Sequence, residues 1–148
     1  MKTGFLKTIW LPALIVSISF SQSVWTARNP LPTQNDLHGA TWTGSRLVIV
    51  GRGGAILTSP NGVDWTFRSS GTTEDLLFVT WTGSQLVAVG YSGTILTSPD
   101  GVNWTSRNSG TRQMLWSVTW TGSQLVSVGY GGTIFTSPDG VVWTSRSS

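Results

Sequence analysis

Six carboxylates, one histidine, seven arginines and two lysines carry most of the acid–base and ionic chemistry available to this 148-residue chain. Hydrolysis of a glycosidic bond needs two carboxylates set across the scissile bond, and the acids here are Asp36, Asp64, Glu74, Asp75, Asp100 and Asp139. Asp100 and Asp139 sit 39 residues apart in the same local sequence, Ser-Pro-Asp-Gly-Val-Xaa-Trp. A repeated acid of that kind marks a turn and not an acid–base pair. His38 is the single histidine, and without cysteine or a carboxylate cluster it reads as a surface or capping residue. Arg68, Arg107 and Arg146 recur at the same interval, which favours packing over Trp or pairing at a sheet edge. No catalytic residue, metal site or cofactor is expected, and the absence of cysteine rules out disulfides.

The elements that must position these groups repeat with them. Trp42, Trp81 and Trp120 mark one position of a 39-residue unit, Gly51, Gly90 and Gly129 a second, and Trp65, Trp104 and Trp143 a third. In the middle copy, Leu76 to Thr82 is an apolar, β-branched run, and the turn Thr82-Gly83-Ser84-Gln85 leads into Leu86 to Gly90. Turns at Tyr91-Ser92-Gly93 and Ser98-Pro99-Asp100-Gly101 then bracket Thr94 to Thr97, before a fourth strand from Val102 to Arg107. No window carries apolar residues at helical spacing over three turns, so the fold class is all-β. A four-stranded antiparallel meander of this length matches one β-propeller blade. The blades are expected at about 37–70, 76–109 and 115–148, with the tryptophans filling space within or between them.

Three turn sequences carry a family resemblance: SPNGVDW (Ser59 to Trp65), SPDGVNW (Ser98 to Trp104) and SPDGVVW (Ser137 to Trp143). They resemble the Asp-box of sialidase-like β-propellers. With the preceding LVAVGYSGTILTS, the repeat is most similar to the BNR-type repeats of exported bacterial propellers, including those similar to photosystem II stability and assembly factors. Two departures favour that broader repeat family over true sialidases: Gly directly follows the Asp, and Asn61 replaces the Asp in the first copy. No arginine triad of the kind sialidases use for a substrate carboxylate is evident. The resemblance implies that Ser59, Asn61, Gly62 and Trp65, with Ser98, Asp100, Gly101 and Trp104, and Ser137, Asp139, Gly140 and Trp143, are structural and peripheral. Turn chemistry gives the same answer, because an Asp or Asn side chain accepts from its own turn's amides and Gly takes a positive φ without steric cost.

Function is then sought where the copies differ. Residues 76–109 and 115–148 differ at seven aligned positions. The unrepeated connections into each first strand read Thr33 to His38, Thr72 to Leu77 and Thr111 to Trp116. In a propeller such segments build the ligand face, which makes Asp36, His38, Glu74, Asp75, Arg112, Gln113 and Trp116 the candidate binding residues for a peptide segment or a sugar. Asn103-Trp104-Thr105 also matches the N-glycosylation sequon, a coincidence of the repeat.

The first 23 residues read as a signal peptide: Lys2 and Lys7, an apolar run from Ile9 to Phe20, then small residues at Ser19, Ser21 and Ser23. Its apolar run is short for a membrane anchor. A secreted or periplasmic location follows, with no stable membrane insertion after cleavage. The cleaved segment takes both lysines with it, leaving seven arginines against six acids and no basic footprint for nucleic acid. Residues 24–30 resemble an extra outer strand. Three blades fall short of a closed propeller, so further blades are expected from a longer chain or from a homo-oligomer. The expected function is a non-catalytic, exported scaffold that binds protein or glycan; the alternative is the N-terminal part of a carbohydrate-active propeller enzyme.

Overall fold

The computed structural model describes residues 33–147, so the expected signal peptide and the outer strand at 24–30 lie outside the described residues. Three four-stranded antiparallel sheets follow one another, each a simple meander. The first comprises β1 (Leu37–Trp42), β2 (Leu47–Gly51), β3 (Ile56–Ser59) and β4 (Thr66–Arg68). The second comprises β5 (Leu76–Trp81), β6 (Leu86–Gly90), β7 (Ile95–Ser98) and β8 (Thr105–Arg107). The third comprises β9 (Leu115–Trp120), β10 (Leu125–Gly129), β11 (Ile134–Ser137) and β12 (Thr144–Arg146). The all-β reading and the three four-stranded antiparallel meanders are therefore observed.

The alternation of side chains along each strand sorts the core into layers between sheets. Val48, Val50 and Ile56 of the first sheet meet Leu76, Val79, Leu86, Ala88 and Leu96 of the second, with Trp81 and Trp104 packed alongside. The other face of the second sheet, Val87, Val89 and Ile95, meets Leu115, Val118, Leu125 and Phe135, with Trp120 and Trp143. The middle sheet is thus apolar on both faces, and its β6 is buried at every position. Burying a Val or Leu side chain in such a layer contributes about 1.5–3 kcal/mol, and with no disulfide these layers are the principal source of stability.

The repeated Gly51, Gly90 and Gly129 have a steric reason. A Cβ on Gly90 would stand 2.0 Å from the carbonyl oxygen of Asp75, and those on Gly51 and Gly129 would stand 2.2 Å from the carbonyls of Asp36 and Met114. These carbonyls accept the amides of Tyr91, Arg52 and Tyr130 at 2.8–2.9 Å, fastening the end of each second strand to the entry of its own sheet.

Four expectations are corrected. The fourth strand is Thr105–Arg107 and not Val102 to Arg107, because the Val102 and Asn103 amides donate to Asp100 and leave the ladder. The first strand stops at Trp81, since the Thr82 amide turns to the Gln85 carbonyl at 2.9 Å. The connection residues His38, Leu77 and Trp116 lie inside β1, β5 and β9, and the third strand is Ile95–Ser98.

Candidate functional site

Strand parity gives each sheet two chemically different ends. The turns after first strands and the Ser-Pro-Asp/Asn-Gly turns after third strands share one end. The other gathers the turns after second strands, Arg52–Gly54, Tyr91–Gly93 and Tyr130–Gly132, together with the connections from one sheet to the next.

At the first end, the repeated turns are closed on themselves. The Asp100 carboxylate accepts from the Asn103 and Val102 amides at 2.9 and 2.8 Å, from the Asn103 side chain at 3.0 Å and from Ser98 Oγ at 3.1 Å. The Asn103 and Val102 amides, aided by those side-chain bonds, hold its carboxyl far below the usual carboxylate range. Asp139 is lowered in the same way by the Val141 and Val142 amides. Asn61 supplies the equivalent acceptor to Val63 and Asp64 at 2.9 and 3.0 Å. Trp104 and Trp143 donate their indole N–H to the carbonyls of Gly101 and Gly140 at 3.1 and 3.0 Å. Arg68, Arg107 and Arg146 each donate from Nε to the threonine on the neighbouring third strand, Thr58, Thr97 and Thr136, at 2.9–3.0 Å.

At the second end, the candidate binding residues divide into two groups. Asp75 accepts the Gly53 amide of the preceding sheet at 2.7 Å, and Glu74 accepts from Ser92 Oγ at 3.0 Å. Asp36 faces Arg52 at 3.7 Å, with both side chains largely exposed. His38 Nδ1 lies 3.0 Å from the Leu76 carbonyl, bridging the innermost strands of the first two sheets. Asp75 and His38 therefore tie the first two sheets together at the loop end and Glu74 holds the turn of its own sheet, whereas the solvent-screened Asp36–Arg52 pair adds little. Arg112, Gln113 and Trp116 differ: all three are exposed, and no side-chain bond engages them among the described residues. An open groove of about 570 Å³ runs along the connection from the first sheet to the second, lined by Gly54, Arg68, Ser70, Thr72 and Glu74. No group of three potential metal-ligating side chains occurs among the described residues.

The copy comparison missed Arg52, Tyr91, Ser92 and Tyr130, which share this end. Tyr91 and Tyr130 are exposed aromatics, and Ser92 is the single non-glycine residue with positive φ, 53°, among the described residues. The signal was present: counting strands from the first connection puts every second-strand turn at the loop end, and those turns read Arg-Gly, Tyr-Ser and Tyr-Gly.

Successive four-stranded meanders packed face to face, with their first strands adjacent, define a β-propeller. Solved structures show the same arrangement. The chain is similar to YCF48 from Cyanidioschyzon merolae, with a TM-score of 0.67 and 22% identity over 78% of this chain and 41% of that one. It is also similar to the WD40 beta propeller domain of Doa1, with a TM-score of 0.60 and 14% identity over 73% of this chain and 39% of that one. The chain thus spans about two fifths of each. No family model matches it, and no curated protein matches its sequence.

Proposed function

We propose that this chain is an exported, non-catalytic β-propeller scaffold that binds a protein segment or a glycan at its loop end, in company with further blades. One observation carries the reading: of the three acids at that end, Glu74 and Asp75 accept hydrogen bonds that hold the turns in place, and Asp36 faces Arg52. The side chains left to meet a ligand, Arg112, Gln113 and Trp116 with Tyr91 and Tyr130, are hydrogen-bonding groups and aromatic platforms. An aromatic face stacks on a sugar ring or a peptide side chain, and Arg and Gln fix its orientation. Export rests on the basic and apolar character of the first 23 residues.

Glycan and peptide arrays probed in parallel with hydrolysis assays on chromogenic glycosides test this. Retention without turnover is the expected result. Hydrolysis that is lost in Glu74→Gln or Asp75→Asn would replace the scaffold with a carbohydrate-active enzyme.

A further inference from the structure

The two sheet–sheet layers use the same pair of surfaces. In each, a Val-Val-Ile face (Val48, Val50 and Ile56, then Val87, Val89 and Ile95) meets the opposite face of the next sheet, led by Leu76 and Leu86 or by Leu115 and Leu125. The third sheet repeats the first of these surfaces with Val126, Val128 and Ile134. Val128 is 43% exposed where Val50 and Val89 are at 0%. The first sheet repeats the complementary surface: Leu37 is 40% exposed and Trp42 51%, whereas Leu76 and Leu115 are at 0%.

A polar latch accompanies each internal layer. Arg46, in the turn after β1, donates to the carbonyl of Asp100 in the next sheet at 3.0 Å, and Gln85 donates to the carbonyl of Asp139. Gln124 holds the same position in the third sheet, is exposed, and has no acceptor among the described residues. Asn61 holds the position of Asp100 and Asp139 in the first sheet, and its carbonyl receives no such donor among the described residues. An occupant of the third sheet's outer face must therefore bring a leucine-led apolar surface and a turn carbonyl placed for Gln124. The first sheet of this chain has both.

We infer that the outer face of the third sheet receives the first sheet of a second copy, with Gln124 latching onto the Asn61 carbonyl of that copy. Two copies joined twice in this way make six blades, within the roughly four to eight of closed propellers, and a two-fold axis closes the ring. The interface continues the packing inside the chain and leaves neither Val128 nor Leu37 exposed.

Sedimentation and native mass spectrometry of the full chain test the inference through two charge variants. Wild type is expected at twice the chain mass, while Val128→Glu and Ala40→Glu are each expected as monomers with unchanged circular dichroism. Mixed in equal amounts, they should regain a dimer containing one of each, because every such pair keeps one intact junction. The milder Gln124→Ala should weaken dimerisation about 25-fold, the effect of one hydrogen bond lost at each of the two junctions. A wild-type monomer at high micromolar concentration would overturn the inference, as would a dimer that survives Val128→Glu. A longer polypeptide from the native source whose own further blades cover both faces would also overturn it.

Discussion

The carboxylate of Asp75 stands 2.7 Å from the backbone nitrogen of Gly53, tying the connection that enters the second sheet to a turn of the first. By residue type Asp75 belongs among the acids of a hydrolase; by geometry it is a brace. Asp75→Ala is expected to lower stability by about 1 kcal/mol. Asp75→Asn, which keeps an acceptor oxygen, should lose less than half of that in denaturant unfolding.

The turn carboxylates give a pH dependence of known sign. Because the Asn103 and Val102 amides lower the folded-state pKa of Asp100 below its unfolded value, the associated stability is fully present above about pH 4. It is lost as pH falls through the depressed value. Thermal melts should show the advantage of wild type over Asp100→Asn shrinking on acidification below about pH 4. At neutral pH, Asp100→Ala should cost about 1–2 kcal/mol and Asp100→Asn less, since Asn61 already makes the two amide bonds in the first sheet.

Two glycines separate close approach from backbone strain. Gly90 is extended, at φ −170°, yet its Cβ would collide with the Asp75 carbonyl. Gly90→Ala should therefore cost about 3 kcal/mol, as overpacking against rigid backbone does. Gly110 has φ 74° and nothing within 4 Å of its Cβ, so Gly110→Ala should cost only about 1 kcal/mol, from the left-handed conformation alone. Equilibrium unfolding of the pair measures the difference directly.

The latch between sheets has an internal control. Arg46→Ala should lower stability by about 0.5–1 kcal/mol, and Arg46→Gln should recover most of it, because Gln85 performs the same task one sheet later. Thermal unfolding midpoints of the two variants decide whether the bond or the charge matters.

The period of Trp, Gly and Trp, together with alternation in segments such as Leu86 to Gly90, was enough to read three four-stranded sheets from the sequence. The closed chemistry of the Asp100 turn was equally legible, because its donors and acceptors lie within five residues of one another. Contacts between sheets were not. Arg46 meets the Asp100 carbonyl across 54 residues, and nothing local distinguishes it from any exposed turn residue. The shortening of the fourth strand was hidden for a related reason: Val102 and Asn103 have strand-like neighbours, but their amides follow the nearer carboxylate. At the loop end, residue types alone grouped Glu74 and Asp75 with Arg112 and Trp116. Hydrogen bonding separates the braces from the exposed groups.

The most direct measurement is an amide hydrogen-exchange footprint of the chain bound to a glycan or peptide recovered from the arrays. Protection is expected in the turn at Tyr91–Gly93 and the connection from Thr111 to Trp116, with binding weakened at least tenfold by Trp116→Ala and unchanged by Asp100→Asn. Protection confined to the Ser98 to Trp104 and Ser137 to Trp143 turns, with binding indifferent to Trp116, would contradict a scaffold that works through its loop end.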